Sequence, residues 1–344
     1  MPSLFITADT ISVRVHSERL VLLRRDSADH RDGAIEEINV PFHELDRIVI
    51  CGCPVVTMPV FHKLMSLNIP VVFLSSHGRW LGGLESGRGI HSARRIRQYE
   101  TASDLSVRMR MAVPLIQAKI RNSRRVLQRL AATRNESRDS VQLRVMSSLR
   151  QLEREAGSGL LSLDQLRGVE GMAAVCYFRR LADFFPENFP FQERSRRPPR
   201  NAANSLLSWT YAVVLGEIES CIRAHGLDPG IGFLHSAEDS VPALALDLLE
   251  PLRAPLCDML VLHLFNHRIL REEHFRFSVD DGGTYLDEKG RKPFFAAYEQ
   301  TMLRKFKWKG ERTHVNFRSV IERQIFMIIK RLEGDFDGDF FLMP

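Results

Sequence analysis

The chain has 344 residues, 44% apolar and 26% charged, with a formal charge of +6, the balance of a globular protein of about two domains with real cores. No run of about 18 uncharged apolar residues is present, which excludes a membrane-spanning helix, and the start MPSLFITADT has neither the basic nor the apolar region of a signal peptide. Five scattered cysteines, Cys51, Cys53, Cys176, Cys221 and Cys257, fit reduced thiols and a cytoplasmic location rather than a disulfide framework.

Up to about residue 90 the pattern is that of strands. Ile11, Val13 and Val15 alternate with Ser12 and Arg14, and Leu20–Leu23 follow a polar turn at His16–Arg19. Further strands are expected at Ile48–Cys51, Val71–Ser75 and Arg79–Leu84, with Gly78 marking a turn. Pro59–Leu67 predicts one short helix, with Pro59 in its first turn. From about residue 100 the apolar period becomes 3.6, and helices are expected over 102–132, 141–155, 160–184, 202–225, 244–270, 293–306 and 315–332. Asp280–Thr284 reads as a hairpin tip within that helical part. The expected class is α+β: a small β-rich domain over 1–95, used for dimerisation or docking, then a larger all-helical domain over 96–344. In the tail, Asp335, Asp337 and Asp339 alternate, but no Glu stands at the twelfth position of a calcium loop, so a loose acidic terminus is expected.

The distribution of charge says more than its sum. Of the 48 basic residues 40 are arginine, whose fork binds phosphates bidentately, although a GC-rich genome produces the same bias. Residues 94–138 hold twelve bases against three acids, a local +9 that exceeds the charge of the whole chain. Arg121, Arg124, Arg125 and Arg129 recur at helical spacing and predict a cationic stripe along one helix. Such a stripe is either a solvated face or a surface that tracks a phosphate backbone, and the asymmetry favours the second. Arg194, Arg196, Arg197 and Arg200 form another cluster in a Pro-rich loop.

Three acids and one histidine stand in apolar company. Glu170 shares a helix face with Leu166, Ala173, Ala174 and Tyr177 and is flanked by Gly168 and Gly171, which lets something approach the backbone closely. A carboxylate on that face needs a cation, either an arginine or a metal ion. His235 follows Gly232-Phe233-Leu234, and Asp247 and Glu250 lie three apart among leucines, although Pro251 disfavours a helical Glu250. One histidine with acidic partners is a mixed oxygen and nitrogen set that suits Mg²⁺ or Mn²⁺ better than a closed zinc site. His263 and His267 lack the glutamate of a zinc-protease motif, and Cys51-Gly52-Cys53 lacks a second pair. No phosphate-binding glycine loop, nucleophile elbow or dinucleotide fingerprint is present.

An ordered series of motifs carries a resemblance. It runs through Arg167-Gly168-Val169-Glu170-Gly171, Arg196-Arg197-Pro198-Pro199, Asn204-Ser205-Leu206-Leu207-Ser208, Tyr211, Gly226-Leu227-Asp228-Pro229, Gly232-Phe233-Leu234-His235 and Asp247-Leu248-Leu249-Glu250, with Arg253 and Asp258 downstream. The series resembles the CRISPR-associated endonuclease and integrase of the spacer-acquisition step, the first-numbered Cas family, over essentially the whole chain. That resemblance implies an N-terminal β domain, a helical catalytic domain, a homodimer and a complex with a small ferredoxin-like partner on double-stranded and single-stranded DNA. It places the metal ligands at Glu170, His235 and Glu250, with Asp247 a neighbouring acid and Arg253, Tyr211 and Asp258 in support. The family commonly has Asp where this chain has Asn201. The implied chemistry is metal-assisted transesterification of a phosphodiester by a DNA 3′-hydroxyl, fading below the ordinary histidine pKa of about 6.5. A non-catalytic DNA-binding scaffold with arginine-paired acids is the alternative, and a hydrolase of small phosphoesters is a third reading.

Overall fold

Alternating apolar residues build the first part of the molecule. The structure is a computed structural model and describes residues 3–7, 10–25, 35–75, 80–84, 91–137, 139–195, 197–308 and 313–344. Strands β1 (Ser3–Ile6), β2 (Thr10–His16), β3 (Arg19–Arg25), β4 (Ile35–Pro41), β5 (Arg47–Cys51) and β6 (Val55–Val56) precede helix α1 (Met58–Ser66), followed by β7 (Val71–Leu74) and β8 (Trp80–Leu84). They form two four-stranded sheets, ordered β4-β3-β2-β6 and β1-β5-β7-β8. In the second sheet β1, β5 and β7 run parallel, and β8 closes it antiparallel. Strands β1, β4 and the two-residue β6 are additions to the sequence reading. The first is only four residues long, and in the second Glu36, Glu37 and Asn39 leave Ile38 and Val40 as the packing residues. Gly78 and Arg79 lie outside the described residues.

All five residues of β5 are buried. Ile48 and Ile50 join Val13, Leu20, Leu22, Val60 and Leu64 in a core between the sheets and α1. Val49 and Cys51 point the other way, into the core of the helical part. A strand buried on both faces reads as an unbroken apolar run, as Ile48–Cys51 does.

The helical part comprises α2 (Ser92–Ser103), α3 (Leu105–Thr133), α4 (Ser140–Ala156), α5 (Leu163–Leu181), α6 (Ala202–Ala224), α7 (Ala243–Leu249) and α8 (Met259–Asn266). A hairpin of β9 (Phe275–Phe277) and β10 (Thr284–Leu286) follows, then α9 (Glu288–Leu303) and α10 (Phe317–Leu332). The helix expected over 102–132 is α3, and α2 before it is an addition to the sequence reading: the Asp104 carboxylate accepts the Ser106 and Val107 N–H groups and starts α3 afresh. The helix expected over 244–270 is also interrupted. A 3₁₀ turn (Glu250–Leu252) and a π-type turn (Arg253–Asp258) separate α7 from α8. Pro251 and Pro255 donate no N–H, so the regular ladder cannot pass through them, and widened turns of this kind gather at functional sites. Glu250 itself stays helical, at φ −54° and ψ −47°.

The tail corrects the expectation of a loose terminus. Asp335, Asp337 and Asp339 are exposed, but Phe340 and Phe341 beyond them are each 1% exposed. Gln324 accepts the Phe341 N–H at 3.2 Å, and Asn122 on α3 donates to the carbonyls of Phe341 and Pro251, both at 2.7 Å. The aromatic pair, rather than the charges before it, decides where the chain goes.

An ion network ties the sheet to the helices. Glu217 on α6 pairs with Arg47 of β5 at 2.5 Å and with Arg318 of α10 at 2.9 Å, and also accepts from Tyr298. Arg318 reaches Glu299 of α9 at 2.6 Å, and Glu299 accepts the Ser3 N–H at 2.9 Å. No helix among the described residues is long and apolar enough to cross a membrane.

Candidate metal centre

A glycine sets the site's geometry. A Cβ on Gly232 would stand 2.8 Å from both the Asp247 carboxylate and the Ala243 backbone, so only glycine lets the loop lie against the start of α7. Asp247, 1% exposed, then accepts four hydrogen bonds from that loop. Its Oδ2 takes the N–H groups of Phe233 and Leu234 at 2.6 and 3.0 Å. Its Oδ1 takes the His235 N–H at 3.0 Å and faces His235 Nδ1 at 2.7 Å. Two arginines hold the loop's carbonyls: Arg167 of α5 donates to Leu234 at 2.6 and 3.1 Å, and Arg108 of α3 donates to Phe233 at 3.1 Å.

The imidazole is thereby oriented, with Nδ1 on Asp247 and Nε2 3.9 Å from Glu250 Oε1. Burial lowers the His235 pKa, but the Asp247 hydrogen bond, its charge and that of Glu250 outweigh burial, and the net shift is upward. The neutral form that a metal ligand requires therefore retreats to higher pH than the ordinary 6.5.

Glu250 is 4% exposed and stands 2.9 Å from Arg253 Nε and 2.5 Å from the Lys119 ammonium of α3. Burial would raise its pKa, and Arg253 and Lys119 hold it at about 2. Lys119 also contacts Glu170 of α5, which lies at the rim with its side chain 27% exposed. Gly168 and Gly171 beside Glu170 have no atom near the position of an added Cβ, so the close approach expected there is made by no described part of the chain.

Glu170, His235 and Glu250 border one cavity of about 170 Å³, together with Lys119, Ser123, Tyr177, Tyr211 and Arg253. Below it, Asp258 accepts hydrogen bonds from Tyr211 at 2.5 Å and Tyr177 at 2.8 Å. Burial lifts the Asp258 carboxyl to about 6 even though both tyrosines, Arg194 and Arg253 oppose the rise. The Arg253 guanidinium lies 4.8 Å over the Tyr211 ring, so this layer fixes the cation that holds Glu250.

The donor set fits a hard divalent ion. The Glu170 and Glu250 carboxylates and the His235 imidazole border the cavity, and the buried Glu250 Oε2 has the Lys119 ammonium 2.5 Å away as its counter-charge. Asp247 braces the histidine from behind, the carboxylate–histidine arrangement typical of metal ligands, and its own oxygens already accept four bonds. As the side chains stand, no three acidic, histidine or cysteine groups among the described residues converge enough to grip an ion, because Lys119 lies between Glu170 and Glu250. Sequence reading missed Lys119, Arg167 and Tyr177 as site residues. The available signal for Lys119 is that no other lysine occurs between Lys63 and Lys289.

The arginine stripe needs one correction. Arg121, Arg125 and Arg129 are exposed, and their guanidinium groups have no protein partner among the described residues. Arg124 instead turns toward α4 and pairs with Glu153 at 3.1 Å, with 14% of its side chain exposed. At 100° per residue the three exposed arginines lie about 200–280° around α3 from Lys119, on a different face from the cavity. Other bases of the +9 segment are structural: Arg94 donates to the His225 carbonyl, Arg110 stacks on Phe336 and Arg134 donates to Asp183 and Phe184. Arg197 and Arg200 are exposed, whereas Arg194 binds Asn204 at 2.9 Å. Arg138 and Arg196 lie outside the described residues. Asn201 caps α6 by accepting the Asn204 N–H at 2.8 Å, a task asparagine and aspartate perform equally well.

Comparison with known proteins adds a consistent picture. The family model for CRISPR associated protein Cas1 matches residues 4–300. CRISPR-associated endonuclease Cas1 3 of Thermus thermophilus is 32% identical over 305 residues, which cover 89% of this chain and 88% of that protein. Among solved structures, a casposase bound to integration product has a TM-score of 0.82 at 23% identity, over 99% of this chain and 93% of that one. A chain of a Cas6-RT-Cas1–Cas2 complex has a TM-score of 0.75 at 21% identity, over 99% of this chain and 36% of that one. At such identities the two structural likenesses concern the fold.

Proposed function

The chain belongs to the CRISPR-associated Cas1 family, and on that premise we propose that it is a metal-dependent DNA endonuclease and integrase of CRISPR adaptation. The observation that carries the reading is the braced histidine: His235 Nδ1 on Asp247, with Nε2 turned toward Glu250 across a cavity that Glu170 also borders. Glu170, His235 and Glu250 would hold Mg²⁺ or Mn²⁺. Such an ion, when bound, lowers the pKa of an attacking hydroxyl and neutralises charge on a non-bridging phosphate oxygen. The residues do the rest. Asp247 and Arg167 keep the imidazole in one orientation. Arg253, braced by Tyr211, holds Glu250 and offers charge to a phosphate. Tyr177, Tyr211 and Asp258 close the floor against water.

With a DNA 3′-hydroxyl as nucleophile, one phosphodiester forms as another breaks, and the hydroxyl's proton is matched by one taken up at the leaving oxygen. With water as nucleophile the same centre hydrolyses DNA. Arg121, Arg125, Arg129 and Arg197 would track the backbones of double-stranded and single-stranded DNA. A homodimer, and a larger assembly with a small ferredoxin-like partner, complete the proposal. A chain of this fold in the complex named Cas6-RT-Cas1–Cas2 supports the larger assembly.

The second reading is a DNA-binding scaffold, and the pairing of Glu170 and Glu250 with Lys119 is the observation in its favour. Strand transfer and cleavage with Mg²⁺ or Mn²⁺, compared among the parent, Glu170→Ala and His235→Ala, separate the two. Loss of joining in both folded variants is expected. Unchanged joining would sink the catalytic assignment.

A further inference from the structure

Glu170 and Glu250 face Lys119 and Arg253 at this centre, while Asp247 faces His235, which is charged only when protonated. The carboxylates therefore outnumber their fixed counter-charges, and a buried carboxylate is costly without one.

The two cations are held differently. Arg253 is fixed from two sides, by Glu250 and by the Tyr211 ring. Lys119 reaches in from α3, and its ammonium touches only Glu170 and Glu250 among the described residues. Its side chain is 14% exposed and borders the open cavity. The choice of base matters here. The eleven other bases between residues 94 and 138 are all arginine, yet this position carries lysine. An arginine fork would clasp a carboxylate with two directed bonds. An ammonium is a point charge on a flexible four-carbon stem and leaves without breaking a fork.

We propose that Lys119 is a displaceable internal cation: it holds Glu170 and Glu250 together in the metal-free protein and gives up that place when a divalent ion binds. The inference rests on the metal-dependent reading above. It makes metal binding an exchange of one cation for another, and it keeps the centre shaped but inactive until the exchange occurs. The freed ammonium stays on the cavity wall, facing an anionic substrate.

The test is Mn²⁺ affinity, measured by calorimetry and by the electron paramagnetic resonance of free Mn²⁺, with melting temperatures taken in EDTA and in Mn²⁺. The proteins are the parent, Lys119→Met, Lys119→Arg and Glu170→Gln. Lys119→Met is expected to bind Mn²⁺ at least tenfold more tightly, to melt lower in EDTA, and to gain more from Mn²⁺ than the parent does. Lys119→Arg is expected to bind at least tenfold more weakly, and it remains a valid test if Lys119→Met does not fold in EDTA. Equal affinities in the parent and both lysine variants, with binding lost in Glu170→Gln, would overturn the exchange and leave the metal reading standing. Weaker binding in Lys119→Met would likewise overturn it. Absence of Mn²⁺ binding in all four proteins would remove the metal reading, and the exchange with it.

Discussion

In the network between sheet and helices, Glu217 and Glu299 are gripped by Arg47 and Arg318, and the same carboxylates also accept from Tyr298 and Ser3. In the candidate centre Glu170 and Glu250 share one lysine, His235 keeps Nε2 free, and a cavity opens beside them. Both clusters bury acids with bases, and both join distant parts of the chain. The difference is saturation. Two arginines balance two glutamates in the network and leave nothing for a ligand. The centre is short of positive charge and open, which is what a site for a cation and a phosphate requires. Burial of charge alone does not mark function; incomplete pairing beside a cavity does.

Four measurements press on that contrast. The largest effect is expected from Glu170→Gln, which keeps shape and removes one charge: strand transfer should fall on the order of 10³-fold, about 4 kcal/mol in the barrier, with little change in melting. A loss below tenfold would mean the centre is as closed as the network. Glu217→Ala should do the reverse. It leaves Arg47 buried without its acid and Arg318 with Glu299 alone, and urea unfolding should show a loss of about 3–5 kcal/mol while activity per folded molecule holds. A loss under about 1 kcal/mol would mean the network is dispensable.

The third measurement sharpens the picture beneath the cavity. Asp258 titrates near 6 when folded, against an ordinary 3.8. Between those values the folded protein keeps a proton that the unfolded chain has released, so this contribution to stability is full below about pH 4 and declines as pH rises through 6. Relative to Asp258→Asn, the parent should lose on the order of 2 kcal/mol between pH 4 and 7. Parallel stability curves for the two proteins would show that the carboxyl is not lifted. The smallest effect per residue belongs to the surface. Replacing Arg121, Arg125 and Arg129 with glutamine should reduce the slope of log affinity for duplex DNA against log salt by up to about 3. Arg124→Gln should leave the slope alone and lower the melting temperature through its Glu153 pair.

How much of this could be read from the sequence depends on whether a residue's partner is local. Strands β2, β3, β5 and β7 alternate or run apolar within themselves, and the Gly232-Phe233-Leu234-His235 motif holds its own reason in the clash an added Cβ would make. The role of Arg124 could not be read, because Glu153 approaches from α4 only after the two helices have packed. The partners of Lys119 are hidden for a similar reason: its two acids lie 51 and 131 positions away. Phe340 and Phe341 follow alternating aspartates whose charge predicts an exposed tail, whereas burial of the two rings fixes it.

Asn122 carries a consequence for timing. Its amide donates to Pro251 and Phe341, and its oxygen accepts the Met343 N–H at 2.8 Å, so one side chain laces the turn after Glu250 to the last described segment. During synthesis that lacing waits until residues 341–343 have been made. The turn that carries Glu250 thus gains its inner strap only after every side chain that borders the cavity has been made.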